Sequence, residues 1–340
     1  MAFALSTVSY HLGLPDGSAG VAVSNEAFIG ASDESNVLHL HLTADGERGK
    51  PVLDLNEEFP GFPAKRKKKA PDAWRESDLE SAAQVGELVY WIGSCSRGRD
   101  GKRAKEREVL FATRLVKRKG GVKPVPAGKV YKGLLDDLVA APALKKYRLA
   151  ESARLGPKEG PSDEPPCWGG LNIESLCAEH GGGRLFIGFR NPIPCGQALL
   201  VPLLNAAELT QKRKKKPKAR IRAKFGEVML LDLHGLGLRD MVWWRGRYLI
   251  LAGYYDEYLN RQTKAPVSRL FQWTGKPEDK PVLLEDVDLK GLNPEALVVF
   301  PNKRVLILSD DGGLRDADGK ILKKAGEAMW KFRSVWLEEV

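Results

Sequence analysis

The stretch NPEALVVFPNKRVLILSDD at residues 293–311 contains the pattern that decides the fold. It reads as an acidic residue, a short apolar strand, a turn and a stronger apolar strand. The pattern recurs in DLESAAQVGELVYWIGS (78–94), NIESLCAEHGGGRLFIGFR (172–190) and LRDMVWWRGRYLILAG (238–253), with a weaker copy in SAGVAVSNEAFIGASD (18–33). One unit repeated along a chain is the signature of a repeat architecture.

Each copy has one anchor residue at or near its acidic position, and the five anchors are Ser18, Glu80, Glu174, Asp240 and Glu295. The intervals between anchors leave room for four strands and variable loops. After residues 238–253, for example, further strands are predicted at 268–274 and 282–288. Four-stranded units arranged around an axis form a β-propeller. We therefore predict an all-β fold, a propeller of five four-stranded blades.

The two ends of the chain are expected to share the last blade. That blade has its first two strands and a third at 330–337, after which the chain ends. The extended segment 3–12 precedes the first inner strand and can supply the missing outer strand. The sequence therefore predicts one closed domain over residues 1–340.

Three segments depart from this pattern: an insertion at 133–165 between the second and third blades, and basic loops at 59–77 and 206–224. The insertion predicts a short helix pair at 134–148, broken at Pro142. The basic loops carry more positive charge than the net +10 of the whole chain, so the remainder is acidic overall. Their expected role is a solvated surface, with weak binding to nucleic-acid phosphates as the alternative.

Composition and cysteine usage exclude several classes of protein. With 43% apolar and 29% charged residues the chain can bury a large core, which excludes a wholly disordered polymer. The four cysteines form no CxxC pair, so a zinc ribbon or a thioredoxin-like site is not expected. No signal peptide or membrane-spanning run is recognised. These observations favour a cytoplasmic protein without a membrane partner.

The acidic anchors are expected to meet at one end of the central channel, because the inner strand of every blade starts on the same face. Carboxylates held close together in a channel repel unless a cation, a proton or an arginine intervenes. Ca²⁺ or Mg²⁺ suits an all-oxygen shell. We therefore predict that Glu174, Asp240 and Glu295 hold a divalent cation. The alternative is that these acids bind backbone amides of the neighbouring blade.

The remaining candidates surround that cation. Glu80 is the carboxylate predicted to take a proton from a metal-bound water, and Arg190 is predicted to orient an anionic substrate. The loops between second and third strands open on the same face and add further candidates for substrate binding. These candidates, together with a second arginine, are Asp33, Arg239, Tyr255, Asp310 and Asp311.

The repeated stretches resemble a bacterial family, the domain of unknown function numbered 3616. The resemblance is carried by DLESAAQVGELVYWIGS, GLNIESLCAEHGGGRLFIGFRNP, GLGLRDMVWWRGRYLILAG and NPEALVVFPNKRVLILSDDGG. More remotely, the start of each inner strand is similar to that in phytase-related esterase-like and gluconolactonase-type propellers. That similarity implies Ca²⁺-dependent hydrolysis at the channel mouth.

The function predicted from the sequence is metal-dependent hydrolysis of a small anionic ester, phosphoester or lactone at the channel. A non-catalytic propeller that binds a protein or ligand is the first alternative. A nucleic-acid-associated protein acting through its lysine-rich loops is the second. Oligomeric state and substrate identity have no signal in the sequence.

Overall fold

The computed structural model describes residues 3–63, 65–68, 70–98, 102–118, 121–153, 170–212, 220–254, 268–316 and 318–340. Two short strands, β1 (Phe3–Leu5) and β2 (Ser9–Leu12), precede the first blade. Blade 1 then contains β3 (Ala19–Ala22), β4 (Ala27–Ser32), β5 (Ser35–Leu42) and β6 (Lys50–Asp54). A short helix α1 (Leu55–Glu58) and the hairpin β7 (Arg66–Lys67) and β8 (Ala70–Trp74) lead into the second blade.

Blades 2 to 4 repeat the same antiparallel order, with successive strands running from the channel outward. Blade 2 contains β9 (Leu79–Val85), β10 (Leu88–Gly93), β11 (Leu110–Arg118) and β12 (Gly121–Pro126). Blade 3 contains β13 (Asn172–Ala178), β14 (Leu185–Asn191), β15 (Ala198–Leu203) and β16 (Met229–Leu231). Blade 4 contains β17 (Gly237–Trp244), β18 (Arg247–Gly253), β19 (Ser268–Trp273) and β20 (Val282–Leu283).

Blade 5 is built from both ends of the chain. Its strands from the C-terminal end are β21 (Pro294–Val299), β22 (Val305–Ser309) and β23 (Lys331–Glu339). Both β1 and β2 pair with β23, in registers that place Leu5 opposite Leu337 and Ser9 opposite Ser334. The inner strands β3, β9, β13, β17 and β21 each contact the next around the ring. The five-bladed propeller closed by the N-terminal segment is therefore confirmed.

The predicted helix pair is present in the described part of the insertion. Helix α2 (Leu134–Ala140) ends before Pro142, and a 3₁₀ helix (Pro142–Tyr147) and helix α3 (Leu149–Ser152) follow. The ring fixes the backbone of Pro142 and removes an amide donor, which explains the break. Residues 154–165 of the insertion and 213–219 of the second basic loop lie outside the described residues.

Two other helices are short, α4 (Ala206–Thr210) and α5 (Leu322–Ala325). Within the described ranges, no helix is long and apolar enough to cross a membrane. The strand predicted at 282–288 is confined to Val282–Leu283, because a turn closed by the Val287 amide on the Leu284 carbonyl follows it.

The core lies in the interfaces between blades. The largest apolar cluster joins blades 2 and 3, where Ile92 and Leu110 pack with Ile173 and Ile187, and the insertion adds Leu138. Strands in the middle of these blades, such as β15, are almost continuously apolar, as strands buried on both faces are. A single blade cannot bury its own sheet faces, so each blade buries them against the next one. This packing between blades holds the ring together.

A histidine cluster lies where the closing strand meets blade 1. His11 on β2 lies 5.8 Å from His41 on β5, and His39 lies 6.1 Å from His41, measured between ring centroids. Phe28 and Phe332 pack against the same rings. His11 hydrogen-bonds Ser334 at 2.8 Å, whereas neither ring nitrogen of His41 has a partner among the described residues. We call these three histidines the seam cluster.

Candidate functional site

A β-bulge at the start of four inner strands directs one side chain into the channel mouth. In each strand the pairing register skips one residue, and the skipped residues are Glu80, Glu174, Arg239 and Glu295. An extra residue of this kind is left unpaired and its side chain is re-aimed. In blade 4 the position equivalent to the glutamates is therefore Arg239, one residue before the predicted anchor Asp240.

These four side chains line one cavity of about 250 Å³, which we call the mouth cavity. Its lining is almost entirely polar and includes eight carboxylates and four cationic side chains. The carboxylates are Asp33, Glu34, Glu76, Asp78, Glu80, Glu174, Glu295 and Asp310, and the cations are Arg107, Arg190, Arg239 and Lys323. Ser96, Asn172 and Asn293 complete it.

Most of the predicted site residues meet in the mouth cavity. The structure brings together Asp33, Glu80, Glu174, Arg190, Arg239, Glu295 and Asp310. Asp311 is elsewhere, paired with Arg333 at 2.8 Å. Tyr255 lies outside the described residues.

Asp240 does not line the mouth cavity but forms a hydrogen-bonded bridge. Its Oδ1 accepts from the Ser81 hydroxyl at 3.0 Å and from its neighbour's amide, and its Oδ2 accepts from the Leu297 amide at 2.8 Å. Ser81 also accepts a hydrogen bond from the Leu176 amide at 3.0 Å. Since β9 and β17 are not neighbours in the ring, the link from Ser81 to Asp240 crosses the channel. This matches the alternative prediction, an acid that binds backbone amides of the next blade.

Arginines neutralise the two remaining predicted ligands. Arg190 Nη1 lies 2.5 Å from Glu174 Oε1, and Arg239 Nη1 lies 2.5 Å from Glu295 Oε1. Arg239 Nε is also 3.8 Å from Glu174 Oε2. Asn172 donates to Glu174 Oε1 at 2.8 Å. Each glutamate is thus held by charge-assisted hydrogen bonds within the protein.

Glu80 differs from the other glutamates because no described residue forms a hydrogen bond or ion pair with its carboxylate, although the residue is only 8% exposed. Burial raises the pKa of Glu80 well above its usual range, and the negative charges of Glu174, Asp78 and Glu295 raise it further. Arg190 opposes this shift only partly. Glu80 therefore holds its proton to a higher pH than an ordinary glutamate does.

Other carboxyl groups of the mouth cavity also hold protons more tightly than usual. Burial, opposed by Arg239 and reinforced by Glu174, raises the pKa of Glu295 to about 7. Burial and the charge of Glu295 raise the pKa of Asp310 to about 7. Burial, with Asp16 and Asp78, raises the pKa of Asp33 well above its usual range. The cavity thus relieves its charge by protonation as well as by arginines.

The predicted cation does not fit the residues that would hold it. Asp240 is bonded elsewhere, and Glu174 and Glu295 are each in contact with a guanidinium. Over the part of the chain that the structure describes, no group of three or more His, Cys, Asp or Glu side chains is arranged to hold a metal ion. Arginines thus contact Glu174 and Glu295 at the positions where the sequence predicts Ca²⁺ or Mg²⁺.

The sequence missed several lining residues. Asp78 begins its copy of the repeat and is bound by Arg107 at 2.9 Å. Lys323 pairs with Glu34 at 2.6 Å and lies on α5, in the loop before β23. Asp78 could have been identified from the sequence, because it opens one of the repeated stretches. Arg107 and Lys323 could not, because they come from loops with no equivalent in the other copies.

Comparison with protein families confirms the resemblance noted above. The model of a family described as a protein of unknown function, DUF3616, matches residues 162–289. This segment includes β13 to β20 and hence Glu174, Arg190 and Arg239 of the mouth cavity. A search of curated proteins gives no match.

Solved structures similar to this chain include propellers and enzymes with low identity. A putative oxidoreductase (glucose dehydrogenase) from Thermus thermophilus is 13% identical, with coverage of 98% of this chain and 100% of that one and a TM-score of 0.43. Myxococcus xanthus glutaminyl cyclase is 9% identical, with 100% and 97% coverage and a TM-score of 0.44. A calcium-binding protein, regucalcin, from Agrobacterium tumefaciens is 14% identical, with 95% and 78% coverage and a TM-score of 0.35. Similarity at this level carries nothing about ligand or activity.

Proposed function

We propose that the protein is a hydrolase that acts on a small, uncharged ester or lactone in the mouth cavity, with Glu80 as its acid–base group. The observation that carries this proposal is the state of Glu80: a buried carboxyl group without a partner among the described residues, beside a cavity and with a raised pKa. Perturbed groups of this kind are concentrated at functional sites.

The charge of the cavity argues against the anionic substrate expected from the sequence. Eight carboxylates face four cations, and Arg190 and Arg239 already bind glutamates. The raised pKa values of Glu80, Asp33, Glu295 and Asp310 reduce the excess negative charge of the lining but do not make it positive. An uncharged polar molecule therefore fits better than an anion. The volume of about 250 Å³ is below the 300–1,000 Å³ of typical drug-sized pockets, so the substrate is small.

The proposed reaction needs a group that transfers protons and a positive charge that stabilises the developing oxyanion. Glu80 donates its proton to the leaving oxygen as the ester C–O bond breaks, and it recovers a proton from the water that attacks the carbonyl carbon. The sum is the addition of one water molecule across the ester bond. Arg190 and Arg239 line the cavity, and the positive charge of their guanidinium groups would stabilise a developing oxyanion.

The test measures turnover of a panel of uncharged esters and of five- and six-membered lactones. Hydrolysis is monitored through the acid that is released at constant pH. Glu80→Gln keeps the side-chain volume and removes the dissociable carboxyl proton. We expect kcat to fall by roughly 10²–10⁴-fold. Glu87→Gln is the matched control, since Glu87 is on the same blade with a side chain that is 84% exposed.

Two results would contradict the proposal. One is full activity of Glu80→Gln. The other is saturable binding of the panel without turnover, which would favour the non-catalytic ligand-binding propeller. Treatment with a chelator is expected to leave turnover unchanged, because the cavity carboxylates bind arginines and protons.

A further inference from the structure

A second cavity lies between blades 3 and 4 and shares no lining residue with the mouth cavity. It measures about 510 Å³, and we call it the blade cleft. The turn after β13 and the end of β17 contribute to it, whereas the mouth cavity lies at the starts of these strands. The blade cleft is therefore at the opposite end of the inner strands from Glu80.

The blade cleft has an aromatic wall. The His180 ring stacks on Trp243 with centroids 4.1 Å apart and planes inclined by 13°. Trp243 meets Tyr248 edge-on at 4.9 Å, and Tyr248 meets Phe186 edge-on at 5.9 Å. Ring pairs with these distances and angles attract one another. The wall is thus held in place before any ligand arrives.

A buried hydroxyl group lines the blade cleft with an unused donor. Tyr248 is 4% exposed, and its oxygen accepts a hydrogen bond from the His180 amide at 3.1 Å. No acceptor for the Tyr248 hydroxyl proton is found among the described residues. A buried donor without an acceptor costs free energy, and a ligand oxygen or nitrogen would remove that cost.

The charged groups near the wall are mostly neutralised or exposed. Arg184 Nε donates to Glu179 Oε2 at 2.7 Å, which pairs these two charges. Glu227 and Lys276 are exposed lining residues of opposite sign. The apolar part of the wall includes Pro202, Val228, Met229, Leu230 and Leu231, and Thr274 adds one neutral hydroxyl group. The cleft therefore selects for shape and aromatic character and not for net charge.

We propose that the blade cleft binds an uncharged, planar aromatic molecule that carries a hydrogen-bond acceptor, and that this site is separate from the mouth cavity. The volume lies within the range of sites for small ligands, the rings supply the flat contact surface, and the Tyr248 hydroxyl supplies the donor. This inference does not depend on the hydrolase proposal.

The test uses quinoline, which is planar, uncharged at pH 7.5 and has one ring-nitrogen acceptor. Its binding to the full chain is measured by saturation-transfer NMR and a concentration series up to 1 mM. We expect saturable binding that weakens by at least roughly tenfold in Trp243→Leu, because the stacking surface is lost. Tyr248→Phe should weaken binding by roughly three- to tenfold, because only the hydroxyl is removed.

Controls separate the blade cleft from other sites. Trp74→Leu removes a tryptophan from the β7–β8 hairpin, and Glu80→Gln alters the mouth cavity, so neither should change quinoline affinity. Met229→Lys places a charge on the partly exposed edge strand β16 and should block the cleft even if Trp243→Leu fails to fold. Absent binding, equal loss in Trp74→Leu, or full binding in Met229→Lys or Tyr248→Phe would each overturn the proposal.

Discussion

The mouth cavity and the seam cluster both bury titratable groups, but they do so with opposite consequences. The mouth cavity buries acids, and its carboxyl groups resist losing protons. The seam cluster buries bases, and burial lowers the pKa of His11 and His39 to about 4 and that of His41 well below its usual range. One region is formed around a cavity and the other closes the ring. Raising the pH therefore destabilises the mouth cavity, and lowering the pH destabilises the packing of the closing strand on blade 1.

The largest expected effect comes from removing the closing strands. Deletion of residues 1–12 removes β1, β2 and His11, and leaves β23 with an unpaired edge. We expect the shortened protein to lose cooperative thermal unfolding, since an open propeller cannot bury the faces of blades 5 and 1. Differential scanning calorimetry measures this, with deletion of residues 1–2 as the control. An unchanged transition would show that the N-terminal strands do not close the ring.

Acid should destabilise the seam cluster. A histidine with a folded-state pKa below its unfolded value of 6.5 contributes stability above 6.5, and that stability is lost as pH falls towards 4. Near pH 4 this amounts to about 3 kcal/mol for His11 alone. Neighbouring charges act in both directions, since Asp45 opposes the lowering of the His11 pKa and Arg48 adds to the lowering of the His39 pKa. Urea unfolding from pH 7 to pH 4.5 measures the slope.

His41→Leu sharpens this prediction. It replaces a ring whose two nitrogens have no partner among the described residues with an apolar side chain, so the stability should fall less steeply between pH 6.5 and pH 4.5. Glu26→Gln is a control, because Glu26 is on the exposed β3–β4 turn. An equal slope in His41→Leu and the wild type would place the acid sensitivity outside the seam cluster.

A smaller effect is expected for the channel bridge. Burial raises the pKa of Asp240 to about 7, so its contribution to stability is present below about pH 4 and is lost as pH rises through 7. Asp240→Asn keeps the shape but places an amide donor opposite an existing N–H donor, which costs about 1–2 kcal/mol. It should also flatten the loss of stability between pH 6 and pH 8. Denaturant titrations of Asp240→Asn and the wild type at pH 6 and pH 8 measure this loss of stability. An equal loss in the two proteins would contradict the prediction.

The smallest effect concerns the acidity of Glu80. Glu174→Gln removes the negative charge that contributes most to raising the Glu80 pKa and frees Arg190, so that pKa should fall. Because the proposed reaction needs protonated Glu80, the alkaline limb of the pH–kcat profile should move to lower pH. Glu87→Gln should leave the limb in place. If the alkaline limb does not move in Glu174→Gln, the group that titrates in the profile is not Glu80.

The sequence predicted the fold well because its signal is local and repeated. Each copy holds its own apolar strands, so five copies such as residues 293–311 determine five blades without knowledge of distant contacts. Even the shared last blade was predictable, since a missing strand at one terminus matched an extended segment at the other. The strand at 282–288 was overextended because a turn after Leu283 has no distinct composition.

The site was less predictable because a shift of one residue in strand register decides which side chain faces the channel. In LRD at 238–240 the sequence offers an acid where the other copies have one, but the bulge presents Arg239 instead. Lys323 reaches the cavity from a loop near the end of the chain, and no repeat marks it. Charge balance in a cavity depends on such loops, so the identity of the neutralising groups could not be deduced from the repeats.

The bridge through Asp240 has a kinetic consequence. It joins Ser81 and Leu297 across the channel, beneath the mouth cavity and above a separate hollow lined by Cys177 and Met241. We therefore expect the bridge to hinder passage of molecules along the axis from one face to the other. Substrate and product of the proposed hydrolase would then use the same opening in turn, so the product should act as a competitive inhibitor of the next molecule to enter.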